Sequence, residues 1–238
     1  MQQRSTLRIA AVSGVAALAV LAPAAGAFAD GHAGAAPASH SIQAKKPAQL
    51  TVKGYVKYLK TQKTPAAKQT LAKFNKLNGK QKYTFVKLLQ NRGVHLALKG
   101  SLEGRADKTF TKRVNSAVTV TRAADTQRND KFGSRQVTYS VTESIYKIPV
   151  TTESVTVKYR LKGKKVIKPA ATSAVTNTNA AVTVTPKKTT RLVVKGTNVR
   201  GEQTFTSTGN VKSFGKKVVK KGAVRAHGKS YTGILANR

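Results

Sequence analysis

The chain of 238 residues contains no cysteine and no tryptophan, and its 8 acidic residues stand against 44 Lys and Arg. Without cysteine there are no disulfides, no lipidated cysteine anchor and no thiolate metal site. Stability must then come from packing. Aromatics make up only 6% of the residues, as 7 Phe and 7 Tyr, so the core has to be built mainly from Val, Leu, Ile and Ala. Long apolar runs are also missing after residue 29, because Lys or Arg interrupts each one well short of the ~18 residues a membrane-spanning helix needs. The shortage of acid has the largest consequence. A formal net charge of +36 far exceeds the roughly 2 to 8 that solubility asks of a small domain. A chain that tolerates such self-repulsion is suited to meet a polyanion, and that attraction needs no sequence code.

Residues 1–29 read as a signal peptide. Arg4 and Arg8 open it, residues 9–21 form an apolar run, and Ala27-Phe28-Ala29 supplies an A-x-A cleavage site before Asp30. This predicts a product that is secreted, extracellular or cell-wall associated. The alanine-rich leader resembles those of actinobacterial secreted proteins, and the Thr/Val-rich body is similar to uncharacterised secreted proteins of the streptomycete type. That resemblance is one of style across the whole chain and rests on no motif, so it implies a location and no activity.

Residues 30–47 are rich in Ala, Gly, Ser and Pro and predict a flexible leader. A helical period follows. Val52, Tyr55, Val56 and Leu59 fall on one face, Thr64-Pro65 offers a cap followed by proline, and Leu71, Phe74 and Leu77 form a second face stopped at Asn78-Gly79. Phe85, Val86, Leu88 and Leu89 make a third, closed by Asn91-Arg92-Gly93 with Gly93 suited to a left-handed C-terminal cap. Beyond Gly93 the period becomes two, as in Val137, Tyr139, Val141 and again in Val155, Val157, Tyr159, Leu161, with Lys162-Gly163-Lys164 as a hairpin loop. His95 is expected to begin the first of about eight to ten short strands. The fold class expected is α+β: a small three-helix N-terminal module at 48–93, then an antiparallel β-sandwich or open β-barrel domain at 94–238. A weak internal similarity links Leu98-Lys99-Gly100-Ser101 and Lys108-Thr109-Phe110-Thr111 to Val194-Lys195-Gly196-Thr197 and Gln203-Thr204-Phe205-Thr206.

Charge is unevenly spread. Residues 31–102 carry 14 bases and no acid, 103–153 are nearly balanced, and 154–238 carry 19 bases against Glu202 alone. Lys53, Lys57 and Lys60 form a helical stripe. Lys158 and Arg160 should point away from the core if Val155, Val157 and Tyr159 point into it. The adjoining hairpin adds Lys162, Lys164, Lys165 and Lys168, and the last segment adds Lys212, Lys216, Lys217, Lys220, Lys221, Arg225 and Lys229. These sixteen residues are the expected polyanion-binding set. Lysine outnumbers arginine, which favours diffuse attraction over bidentate readout. Phe110, Phe132, Phe205, Phe214 and Tyr231 are candidates for base stacking, although strand aromatics more often fill cores.

Catalytic patterns are thin. His32, His40, His95 and His227 make no metal-ligand motif, and no G-x-S-x-G elbow accompanies them. Ser144-Ile145-Tyr146-Lys147 and Ser213-Phe214-Gly215-Lys216 both match S-x-x-K, but S-D-N and K-T-G partners are absent. Glu143 and Glu153 are better placed to pair with bases than to cleave glycosides. Gly228-Lys229-Ser230 lacks the upstream glycine of a phosphate loop. The expectation is a non-catalytic protein without cofactor or metal that binds anionic cell-wall polymer, nucleic acid or acidic polysaccharide, with anionic membrane lipid a weaker partner. The alternatives are a secreted structural or protein-interaction (inhibitor) domain whose charge serves solubility, and a hydrolase whose site would gather His95 or His227 with central carboxylates.

Overall fold

Each helix begins where the sequence supplies a side-chain cap. In the computed structural model, which describes residues 46–238, the signal peptide at 1–29 and nearly all of the leader at 30–47 lie outside the described residues. Thr51 Oγ1 accepts the Gly54 N–H to open α1 (Val52–Thr61), and Thr64 Oγ1 accepts the Ala67 N–H to open α2 (Pro65–Asn75), with Pro65 in the first turn as expected. Asn78 does more than stop α2. With Gln81 it forms a reciprocal capping box that starts α3 (Gly79–Leu89). Three fully buried rings, Tyr55, Phe74 and Phe85, meet at centroid separations of 5.1 to 5.6 Å and hold these helices together.

The chain after α3 departs from expectation. Asn91 Oδ1 caps the amides of Gly93 and Val94, so Gly93 lies inside a short further helix, α4 (Arg92–Leu96), and is not a left-handed cap. His95 sits on α4 and does not begin a strand. Nor do the helices stand apart as a separate module. Their buried side chains belong to the same continuous core as the strands. Asn179 Nδ2 donates to the Leu89 carbonyl, Asn237 Nδ2 to the Leu96 carbonyl and Arg92 Nε to the Lys216 carbonyl, which pins the helical segment to strand ends and loops.

The rest is antiparallel β-structure in two sheets arranged as a sandwich. Eleven strands form among the described residues, several of them 12 to 15 residues long, against the eight to ten short ones expected. The first sheet runs β1 (Gly100–Gly104), β11 (Ser230–Asn237), β10 (Val218–His227), β9 (Asn198–Gly209), and the far edge of β9 is shared by β7 (Val182–Pro186) and β8 (Arg191–Lys195). The second is a meander of β2 (Lys108–Arg113), β3 (Val118–Asn129), β4 (Ser134–Ile145), β5 (Ile148–Lys162) and β6 (Lys165–Asn177). The Lys162-Gly163-Lys164 turn joins β5 to β6 as expected, with Gly163 at φ +58°. The weak internal similarity has no structural counterpart, since β8 and β9 pair in one sheet while β1 and β2 belong to different sheets.

The sheets fit by size complementarity. Gly233 on β11 faces Tyr139 on β4 so closely that a Cβ would lie 2.2 Å from the ring. That space lets the Tyr139 hydroxyl donate to the Gly100 carbonyl at 2.6 Å. Pro169 is tolerated because β6 is an edge strand.

Candidate functional site: basic surfaces and a buried charged cluster

The expected binding set divides. Lys53, Lys57 and Lys60 line the exposed side of α1, and Lys158, Lys162, Lys164, Lys165, Lys168, Lys212, Lys216, Lys217, Arg225 and Lys229 are exposed as well. Val155, Val157 and Tyr159 do face the core, which leaves Lys158 in solvent and half-exposes Arg160, whose Nε donates to the Phe132 carbonyl. Lys221 is half-exposed and ion-paired to Glu202 at 3.2 Å. Lys220 is a correction. It points between the sheets with none of its side chain exposed, because β10 alternates and position 220 falls on the inner face. Of the stacking candidates, Phe205, Phe214 and Tyr231 are core, whereas Phe110 and Phe132 are exposed, each with a cation over its ring.

A groove of about 490 Å³ opens where the β1–β11 edge of one sheet runs beside β2 and β3 of the other. Its charged lining is Lys99, Lys112, Arg113 and Arg122, with no acid among the lining residues. Val114 and Ile234 add exposed apolar surface to it. Arg122 is the structural centre of the groove. Its guanidinium lies 5.3 Å over the Phe110 ring, and its Nε is buried with no partner in the protein. Gly100, at φ +145°, makes the room, since a Cβ there would come within 1.9 Å of that nitrogen. Counting charge by sequence block misses this site because all four cations come from the start of the nearly balanced middle or just before it. Strand register brings them together, aligning Phe110 with Arg122 and Lys112 with Val120 on the inward face of the β2–β3 pair.

The outer face of the first sheet carries a second basic group. Glu202 is ringed by Arg200 at 2.7 Å, Lys221 at 3.2 Å and Arg191 at 3.8 Å. Its partial burial raises its pKa, but the hydrogen bond from Lys221 and the charges of Arg200, Lys221 and Arg191 outweigh that and hold the carboxyl below its ordinary range. Arg200 and Arg225 stand directly opposite each other across β9 and β10, a like-charged pair that destabilises unless an anion lies between.

The outer face of the second sheet is different. Thr111, Thr121, Thr142, Thr152 and Thr176 align in one row across all five strands. Hydroxyl pairs at 3.0 Å (Thr111–Thr121) and 2.9 Å (Thr142–Thr152) knit it together. The adjacent row, Thr109, Ala123, Ser140, Ser154 and Ala174, is also uncharged.

The core holds a charged cluster. Lys220 Nζ lies 3.0 Å from Glu153 Oε1 and 3.0 Å from His95 Nε2, while Nε2 is also 2.8 Å from Ser207 Oγ. His95 Nδ1 faces Glu143 Oε2 at 3.6 Å. The sequence suggested Glu143 and Glu153 as partners of bases, and set His95 with central carboxylates only under the hydrolase alternative; the fold gathers all three. It gathers them around Lys220 in the core, with each of the four at most 2% exposed. Among the described residues no group of His, Asp or Glu is arranged to hold a metal ion, and no helix is long and apolar enough to cross a membrane.

No protein-family model, curated protein or solved structure matches this chain.

Proposed function

We propose that this is a secreted, non-catalytic protein that binds extracellular polyanions by diffuse electrostatics, with the β1–β11/β2–β3 groove as the place of closest contact. The target chemistry is a chain of repeated phosphate or carboxylate groups, as in anionic wall polymer, nucleic acid or acidic polysaccharide. The helical segment at 48–93 shares the sandwich core, so it acts as part of one body, with the lysine stripe of α1 on its exposed side. The observation that carries the reading is the acid-free groove in which Arg122 keeps a buried, unpartnered Nε–H. A buried donor left unbonded costs about 1–3 kcal/mol, a cost that an anion paired with the Arg122 guanidinium in the groove would offset.

Segregation of charge supports the same reading. Charge maintained for solubility alone has no reason to avoid the five-stranded threonine face, yet two adjacent rows across it carry none. That face favours a second reading, a protein-interaction or inhibitor domain in which neutral hydroxyls make the contact and the lysines serve solubility.

Retention on duplex DNA, an anionic wall polymer and a neutral glycan, over roughly 50–500 mM salt, separates the two. Polyanion binding predicts capture on both charged matrices with a steep log–log loss in salt. Weak retention on all three would defeat it and move the search to protein partners of the threonine face.

A further inference from the structure

The buried cluster is costly as an ion pair. Lys220 and Glu153 are fully buried, and removing each ion from water costs several kcal/mol unless the remaining lone pairs and protons find partners. They do not, because Glu153 Oε2, Glu143 Oε2 and His95 Nδ1 are all buried without a hydrogen bond. An ammonium has only protons to offer, so the 3.0 Å contact to His95 Nε2 makes that nitrogen the acceptor and leaves the Nδ1 proton facing Glu143. The arrangement is an amine, a carboxyl one bond from contact with it, and a base already on the amine, in a dry core.

We propose that Lys220 and Glu153 condense into an internal amide bond that ties β10 of one sheet to β5 of the other. One ammonium proton passes to the Glu153 carboxylate through His95 Nε2, leaving a neutral amine against a carboxylic acid. The amine lone pair forms the N–Cδ bond while the C=O electrons move onto oxygen. The nitrogen releases its second proton to Nε2, and the imidazolium is held by Glu143. The C=O re-forms, the other C–O bond breaks, and that oxygen leaves as water with the proton returned by Nε2. Of the three ammonium protons one stays on the amide nitrogen and two depart on water. His95 and Glu143 end as they began, and no oxidant or reductant is consumed.

Three features favour the step. Burial lowers the Lys220 pKa below the usual lysine range, against the opposing pull of Glu153 and Glu143, which promotes the nucleophilic free amine. The fold fixes both groups in contact, so the reaction is unimolecular. The product removes two charges from the core, and the reaction needs no cleft because both reactants are already inside. In a chain without cysteine, an amide across the sandwich takes the part a disulfide plays elsewhere. His95, which touches the reacting nitrogen, is the catalytic residue. Glu143 acts through His95 and is a positioning residue.

Mass spectrometry of the full chain, purified and then denatured, tests this with the N terminus read independently. The expected result is a mass below the sequence value by one water, and a tryptic species joining the Lys220 and Glu153 peptides with no cleavage after Lys220. The paired variant Lys220→Met/Glu153→Leu, which removes both reacting groups together, should show the full sequence mass. His95→Gln, which keeps a hydrogen bond but accepts no proton, should slow the mass loss at least tenfold in samples followed after refolding. Wild-type protein that keeps its full mass after prolonged incubation, or a water loss mapped to other residues, overturns the proposal whether or not the variants fold.

Discussion

Replacing Lys99 and Lys112 with glutamine removes two of the four cations that line the groove, at exposed ends of flexible side chains. Arg113 is a poorer choice, since it also donates to the Asn115 and Ser116 carbonyls that shape the β2–β3 loop. Each phosphate neutralised on duplex DNA adds about 0.9 to the slope of log affinity against log salt. Losing two contacts therefore lowers the slope by about 2, and at ~0.1 M salt the same relation makes binding about 60-fold weaker. The comparison variant is Lys162→Gln/Lys164→Gln at the β5–β6 turn, which removes the same charge far along the sheet. Fluorescence anisotropy of a labelled duplex and of a labelled polyphosphate, titrated at several salt concentrations, reads both slopes. The expected outcome is a larger drop in the groove variant than in the turn variant, with unfolding midpoints unchanged in both. An unaltered slope in the groove variant, with the loss falling on the turn variant, would refute the assignment of the groove.

Three further outcomes follow from particular contacts. Gly233→Ala drives a methyl to within 2.2 Å of the Tyr139 ring, so chemical denaturation should show a loss of at least 1–3 kcal/mol; a neutral substitution would mean the sheets do not meet there. Glu202 has a folded pKa below its unfolded value near 4.5, so its stabilisation is present above that pH and is lost as pH falls through the folded pKa. Glu202→Gln should flatten this acid limb and cost about 1 kcal/mol at neutral pH by leaving Arg191, Arg200 and Lys221 facing one another, as urea titrations from pH 3 to 7 would show. Lys147 sits at φ +63° in the β4–β5 turn, a conformation that costs a side-chain residue about 1 kcal/mol, and Lys147→Gly should raise the unfolding midpoint by a degree or two. An unchanged or lower midpoint would show that the turn is not strained.

Local rules were readable wherever the decisive partner lies close in sequence. The faces Val52-Tyr55-Val56-Leu59 and Leu71-Phe74, the Thr64-Pro65 start and the alternation through β4 and β5 all became buried faces and capped ends. Asn91-Arg92-Gly93 misled because asparagine caps a helix start as readily as glycine closes a helix end, and the apolar Val94 and Leu96 beyond it gave the new turn something to bury. Lys220 misled for a different reason. Val218-Val219-Lys220-Lys221 has no period to set its phase, so which lysine faces inward is decided by pairing with Phe205 on β9 and Asn237 on β11. The groove was invisible to any one-dimensional reading, because Lys99, Lys112 and Arg122 converge only when β1 and β2 take places in different sheets.

The proposed Lys220–Glu153 bond would offset the self-repulsion of the lysine-rich surface. A surface with this much positive charge repels itself, and the repulsion acts to spread the sandwich. The two sheets are otherwise joined by an aliphatic core with few large rings, with Tyr139 and Phe205 among the fully buried ones. A bond between Lys220 and Glu153 would join the sheets across a separation of 67 residues. By the loop-closure relation used for disulfides, it would remove unfolded-state freedom worth about 4 kcal/mol. That contribution is independent of salt, whereas the surface repulsion it opposes is strongest when salt is low. The unfolding midpoint of the cross-linked chain should therefore stay above that of Lys220→Met/Glu153→Leu by a similar margin from ~1 M to ~0.01 M salt, while both fall together as salt is removed. Equal midpoints in the two proteins at low salt would show that the core cluster gives the fold no reserve against its surface charge.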